Sequence, residues 1–263
     1  MPHVAALYRY PVKGFTAESC ETLTVLADGR VAGDRVLGFR FASCGAGDDQ
    51  WSTKHEFVAL VNTPGLARLT VRYDHARQML HIASGSTVLA EEALDVKGRA
   101  RLASVVQEYV FGLAEHPLKD HPERLPLRLV GDGATPRFQD NAAGHTTLHG
   151  RASLAALAAY MGVPEVNEVR FRSNVALEGL AAWDEHRWPG RRVRIGSVEF
   201  EAAIPKPRCL ATHANPCTGE RDLPVMQALV KAFPGHERPT FAIGLRTTGE
   251  SGLIRVGDEV RLL

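Results

Sequence analysis

The densest set of reactive side chains lies between Ala203 and Asp222, in the run AIPKPRCLATHANPCTGERD. Cys209 stands there between Arg208 and Leu210, with Lys206 and His213 close in sequence. Cationic neighbours favour a thiolate over a thiol, and a thiolate is both a nucleophile and a soft metal ligand. Pro205 and Pro207 stiffen the approach and remove two backbone donors, so a rigid loop is expected to present the sulfur. Several chemistries compete for it. A single cysteine is most often a small buried residue with no chemistry. Cys209, His213 and Cys217 are three zinc-type ligands in one short run, but a closed structural site needs a fourth, and none stands at standard spacing. A Cys–His pair for hydrolysis is also open, because any of the 11 histidines can lie near Cys209 in space.

Other short segments accompany this one. Tyr10-Pro11-Val12-Lys13 ends the first expected strand, and Gly33-Asp34-Arg35 precedes a second. Trp51-Ser52-Thr53-Lys54-His55-Glu56 follows a third, and Arg170-Phe171-Arg172-Ser173-Asn174-Val175 lies upstream of the cysteine loop. Together with Pro207-Arg208-Cys209 and Asn215-Pro216-Cys217-Thr218-Gly219, the set resembles the MOSC family with its N-terminal β-barrel domain. That group contains the mitochondrial amidoxime-reducing components and related bacterial reductases. Its motifs read YPVKS, DR, a T-x-R-E-like stretch, RPN, CxRC and DPxTG, and order, approximate spacing and nearly the whole chain agree.

The resemblance implies that Cys209 is the protein ligand to the molybdenum of a molybdenum cofactor, and molybdenum in that setting favours sulfur donors. By the same match Lys13, Arg35, Arg172 and Asn174 hold the molybdopterin and its phosphate, as cations suit an anionic group that is not covalently attached. Gly14, Lys54, His145, Thr146 and Pro207 complete the expected cofactor site. His55, His145 or His213 is the expected proton carrier, with His55 and His213 placed beside Cys209 in the catalytic set. The chain departs from the pattern in several places. Gly14 stands where serine is frequent, Ser173 replaces a proline, and His55 stands for an arginine. Lys206 replaces the first cysteine of CxRC, Pro207 cannot donate a backbone hydrogen bond, and Cys217 replaces the aspartate of DPxTG.

The implied activity is an oxidoreductase that reduces N-hydroxylated or N-oxygenated small molecules. Electrons are expected from a separate flavoprotein, ferredoxin or cytochrome, because the chain has no C-x4-C-x2-C run and no nicotinamide-binding glycine fingerprint. The alternative is a non-redox carrier of the cofactor or a sulfur-transfer protein, in which Cys209 bears a persulfide.

The elements that must position these residues are mostly short strands. His3–Val12, Glu21–Leu26, Val36–Ala42, Ala67–Tyr73, Met79–Ala83 and Pro126–Val130 are rich in β-branched and aromatic residues bounded by turn formers. Further strands are expected at Glu168–Leu177, Arg191–Ile195 and Val198–Ile204, and in the tail two strands, Leu253–Val256 and Glu259–Leu263, joined by a tight turn at Gly257-Asp258. Helical spacing predicts Arg99–Leu113, Ser153–Met161 and Leu223–Phe233, the last capped by Asp222 and ended by Pro234-Gly235. The charged, proline-bearing stretch His116–Leu125 suggests a boundary, giving a barrel-like domain over 1–120 and a MOSC β-barrel domain over 121–263. The fold class expected is mostly β with a few helices (α+β).

Composition narrows the partners. Lys+Arg total 31 against 30 Asp+Glu, so net charge gives no reason to expect nucleic acid or an acidic membrane. No run approaches the roughly 20 apolar residues of a membrane span. Four irregularly spaced cysteines argue against a disulfide framework, and a cytoplasmic protein acting on a small-molecule substrate is expected.

Overall fold

Alternation of apolar and polar side chains builds the simplest strands: in Leu69–Asp74, Leu69, Val71 and Tyr73 are buried while Thr70, Arg72 and Asp74 face out. The structure, a computed structural model, describes residues 1–232 and 238–263. Among them the early strands are β1 (His3–Arg9), β2 (Glu18–Cys20), β3 (Thr22–Val25), β4 (Gly38–Arg40), β5 (Leu69–Asp74), β6 (Met79–Ser84) and β7 (Thr87–Ala93). Then come β8 (Arg128–Val130), β9 (Thr146–Gly150), β10 (Val175–Glu178), β11 (Arg192–Ile195), β12 (Val198–Pro207), β13 (Thr240–Thr247), β14 (Gly252–Arg255) and β15 (Val260–Leu262). Three α-helices accompany them, α1 (Val96–Phe111), α2 (Arg151–Met161) and α3 (Val225–Ala232), so the protein is mostly β.

Eight strands form the main sheet in the order β15-β11-β12-β13-β9-β10-β1-β2. Among the described strands of this sheet only β9 and β10 pair in parallel, joined by α2, which crosses over between them. Smaller sheets pair β14 with β3, β4 with β8, and β5-β6-β7 in sequence. Pairing crosses residue 120 repeatedly: β1 lies beside β10, β3 beside β14 and β4 beside β8. Two large cores follow the pairing. Val4, Leu7, Leu23 and Val25 pack with Val193, Phe200 and Ile243 against the main sheet. Phe15, Phe39 and Val71 pack with Leu102, Val106, Val110 and Leu129 in the other core.

Helix α1 begins three residues before the expected start, because the Asp95 side chain accepts from Gly98 N at 2.8 Å and caps it. Strand β13, TFAIGL at its start, escaped the sequence reading because it is buried on both faces and does not alternate. The segment expected as a strand over Glu168–Leu177 is instead a 3-10 turn, Glu168–Phe171, capped by the Asn167 side chain, with pairing resumed only at Val175. Arg170 lies inside that turn and Arg172 ends it in the left-handed conformation. The two tail strands form with a tight turn between them, in which the Asp258 carboxylate accepts from Arg255 N, but β14 pairs with β3 and β15 with β11.

Helix α3 starts at Val225, and Asp222 does not cap it. The Asp222 carboxylate is taken by Arg170 Nη2 at 2.8 Å and Asn215 Nδ2 at 2.6 Å. Met226 N donates instead to His213 Nε2 at 3.2 Å. The expected end of this helix at Phe233 and Pro234-Gly235 lies outside the described residues. All four cysteines are unpaired, and no described helix is long and apolar enough to cross a membrane.

Candidate functional site

A cavity of about 550 Å³ collects side chains from both halves of the chain. That is within the range of roughly 300–1,000 Å³ typical of small-molecule and cofactor sites. Lys13, Gly14, Arg35 and Lys54 reach it from the first half, and His145, Arg172, Pro207 and Cys209 from the second. These eight expected site residues, spread over nearly 200 positions of sequence, line one space.

Cys209 owes its place to the end of β12. Pro205 and Pro207 sit where the β12–β13 register shifts, and prolines are tolerated at such bulges because no ladder donor is needed there. The strand bends and delivers Lys206, Pro207, Arg208 and Cys209 to the cavity wall. A 3-10 turn, Leu210–His213, follows at once and is tied back by Thr212 Oγ1 donating to Cys209 O at 2.9 Å. Cys209 is half-buried and faces the cavity, as a ligand or nucleophile requires.

Arg35 and Arg172 both adopt left-handed backbone, with φ of 54° and 53°. For a residue with a Cβ this conformation costs about 1–2 kcal/mol, so something must hold it. Tyr10 does: its buried ring lies 4.9 Å from the Arg35 guanidinium carbon and 4.3 Å from that of Arg172. Arg35 Nη2 also donates to Arg172 O at 3.3 Å, while Arg35 Nη1 pairs with Asp34 and Arg172 Nη1 donates to Phe15 O. Burial and the nearby Arg35 charge depress Arg172 to a pKa of about 10.

Eight lysines and arginines line the cavity: Lys13, Arg35, Lys54, Arg170, Arg172, Lys206, Arg208 and Arg238. Asp140 is the one carboxylate among the described lining residues. Its carboxylate accepts from the buried Lys13 Nζ at 2.8 Å, and Lys13 Nζ also donates to Phe138 O at 2.7 Å. Desolvation opposes ionisation of Asp140, but the Lys13, Arg35 and Arg172 charges outweigh it and hold the carboxyl well below the usual range. Burial pulls Lys13 down, against the pull of Asp140. In the same cavity Lys206 Nζ lies 2.7 Å from His145 Nδ1. Burial and the Arg208 charge lower Lys206 to about 8, and burial with the Lys206 charge lowers His145 to about 4.

The cavity's unmet hydrogen-bonding capacity points the same way. Arg172 Nη2, Arg208 Nη2 and Gln139 Oε1 are buried without a hydrogen-bond partner among the described residues. A hydrogen bond to a charged group contributes about 1.5–3 kcal/mol, so two orphaned guanidinium donors beside a cationic cavity mark a place suited to anionic oxygens. A thiol on the same wall adds the soft donor that a metal-bearing anionic cofactor requires. The residues fit such a group.

Four expected site residues are not among those lining the cavity. Thr146 is buried and donates to Gly29 O at 2.9 Å; its neighbour Thr147 lines the cavity in its place, as alternation along β9 dictates. Asn174 is a structural tie, its Oδ1 accepting from Thr147 N and Oγ1 and its Nδ2 donating to Tyr8 O. His55 is exposed in a 3-10 turn. His213 caps α3 and is buried, and burial depresses its pKa. Among the described residues no three His, Cys, Asp or Glu side chains gather to hold a metal, which removes the zinc site of Cys209, His213 and Cys217. The sequence reading missed Asp140, Gln139 and Arg238 as lining residues; none stands in a recognisable motif, and no signal in the sequence marks them.

The chain's similarities agree with its motifs. Residues 1–116 match the MOSC N-terminal beta barrel domain and residues 138–261 the MOSC domain. Over 104 residues the chain is 36% identical to a molybdenum cofactor sulfurase of Caenorhabditis elegans, covering 38% of this chain and 14% of that protein. Over 139 residues it is 31% identical to the molybdenum cofactor sulfurase of Caenorhabditis briggsae, covering 51% and 19%. The matched part is thus less than a fifth of each relative. Among solved structures, the YUAD protein from Bacillus subtilis aligns over 99% of this chain and 94% of its own, with a TM-score of 0.43 and 12% identity. YiiM from Geobacillus stearothermophilus aligns over 45% and 53%, with a TM-score of 0.34 and 17% identity.

Proposed function

The chain belongs to the MOSC family, with the MOSC N-terminal β-barrel domain ahead of the MOSC domain, and from that membership we propose that it is a molybdenum-cofactor-dependent reductase of N-oxygenated small molecules. The observation that carries the reading is the cationic cavity with Cys209 on its wall and the partnerless Arg172 and Arg208 donors beside it. Cys209 Sγ would hold the metal. Arg172, Arg208, Arg35 and Lys13 would hold the anionic pterin and its phosphate, with Arg35 and Arg172 already braced on Tyr10 so that little freedom is lost on binding. The bound cofactor would supply two-electron, oxygen-accepting chemistry. The protein's part is to orient the group, to screen its charge and to place proton donors. Electrons would come from a separate redox protein, since the chain has no cluster or nicotinamide motif of its own.

One finding favours a second reading: the curated relatives are named molybdenum cofactor sulfurases. In that reading the cavity holds the cofactor for delivery or sulfur transfer, and Cys209 carries a persulfide. Metal analysis of protein made in a molybdate-fed, cofactor-competent host separates the two. Near-stoichiometric molybdenum, lost in Cys209→Ser, together with reduction of benzamidoxime by a chemical reductant, supports the reductase. Persulfide on Cys209 with no reduction moves the carrier reading to the front, and absence of molybdenum from both proteins overturns cofactor binding.

A further inference from the structure

At its carboxyl end β12 carries, where the family has a cysteine, a lysine that points into the cavity: Lys206, whose Nζ sits 2.7 Å from His145 Nδ1. The pair is seated on Gly244 of β13. A Cβ there would fall 2.4 Å from Lys206 Cε, 2.7 Å from Nζ and 3.3 Å from His145 Cγ, so a side chain at this position would push the lysine tip off the histidine. Charged groups bearing on Lys206 are Arg35, Arg208 and Arg246, with Asp140 the one opposing carboxylate. Lys206 and Cys209 line the same cavity, three residues apart in the chain.

Resting on the reductase reading, we propose that Lys206, oriented by His145 on the Gly244 floor, is the proton donor for the oxygen that leaves the substrate. Reduction of an N-hydroxy compound consumes two electrons and two protons and yields the corresponding N–H compound and one water. The N–O bond breaks, the electrons come from the separate redox protein, and the departing oxygen leaves as that water. Lys206 Nζ–H gives one proton to the departing oxygen and regains it from solvent at the cavity mouth; the second proton comes directly from solvent. His145 is held neutral by burial and the Lys206 charge, so its Nδ1 accepts from the ammonium and does not compete as an acid. A group that titrates near the working pH is suited to donate and recover a proton in each cycle, and burial with the Arg208 charge brings Lys206 there.

Two measurements test this on the full chain. In the first, without turnover, Lys206 labelling by an amine-specific acylating reagent is followed against pH by peptide mass spectrometry. Half-maximal reactivity is expected near pH 8, moving lower in His145→Phe, where the acceptor is gone. A midpoint above 10, unmoved by His145→Phe, overturns the proposal. In the second, molybdenum-loaded wild type, Lys206→Met and Gly244→Ala are compared with a chemical reductant and benzamidoxime. A general acid contributes roughly 10²–10⁴-fold, so kcat should fall at least tenfold in both variants, with KM and molybdenum content little changed and the alkaline limb of the wild-type pH profile lost in Lys206→Met. Full molybdenum with kcat within twofold of wild type overturns the proposal and leaves the reductase reading standing. A wild type that holds molybdenum but reduces nothing overturns both.

Discussion

Arg35 and Arg172 stand 137 residues apart in sequence, yet both hold left-handed backbone and both lay a guanidinium against the ring of Tyr10. One residue comes from the turn after Gly33 and the other from the end of the 3-10 turn that precedes β10, so the contact joins the two halves of the chain at the cavity. It also explains how two neighbouring like charges are tolerated: the aromatic face, Asp34 and backbone carbonyls share the load.

That arrangement separates strain from charge. In Arg172→Gly the left-handed strain disappears along with the cation, whereas Arg172→Met keeps the strain and loses the cation. Both are expected to weaken pyrophosphate binding about tenfold, or ~1.4 kcal/mol, in isothermal titration calorimetry. Arg172→Gly should melt above Arg172→Met. Unchanged pyrophosphate affinity in both would remove Arg172 from the anion site.

Gly14 replaces the family's frequent serine for a reason of space. Its φ is +77°, and a Cβ there would fall 2.3 Å from the Ala59 Cβ and 2.6 Å from the Ala59 Cα. Gly14→Ser therefore combines left-handed strain with overpacking and should cost about 2–5 kcal/mol of unfolding free energy. Adding Ala59→Gly removes the nearest atom and should restore part of that loss in urea denaturation. A neutral single variant would mean that the turn accommodates serine by moving.

His145 gives the fold a pH dependence of definite sign. Its pKa falls from 6.5 to about 4 on folding, through burial and the neighbouring Lys206 and Arg246 charges. Between those values the unfolded chain binds the proton and the folded chain does not, so stability is complete above pH 6.5 and declines as pH falls towards 4. His145→Asn should flatten that part of a Tm-against-pH curve. An unaltered slope would mean that His145 titrates normally in the folded protein.

His213 serves α3 in the structure. Its Nε2 accepts from Met226 N, the role a capping side chain fills at a helix start. His213→Ala should cost about 1 kcal/mol, with partial recovery in His213→Asn, measured by chemical denaturation. Loss of no stability at all would show that the helix start is satisfied by other means.

Much of the site was legible in the sequence, because motifs are local. YPVK, GDR and the PRC loop each place their functional side chain at a strand end or turn, and strand ends converge on one side of a sheet. What failed was the expectation that depended on unseen neighbours. Glu168–Leu177 looks like a strand, but Asn167 caps a 3-10 turn there and Arg170 is drawn to the carbonyls of Thr212 and His213. Asp222 has the chemistry of a helix cap, but the charge of Arg170 claims it and His213 takes its place. The last two strands are separated by a tight turn, but each has an apolar partner elsewhere and they never pair with each other.

The sequence by itself determined the family, the mostly β composition, the cysteine at the cavity and most of the cations around it, since residue type and order specify those directly. The tertiary structure alone decided that Asp140 is the counter-charge of Lys13, that Lys206 rests on His145 above Gly244, and that Asn174 and His213 are struts. Most of those are pairings between residues distant in the chain. Burial and hydrogen-bond geometry choose such partners, and neither is set until the sheets have closed over the cavity.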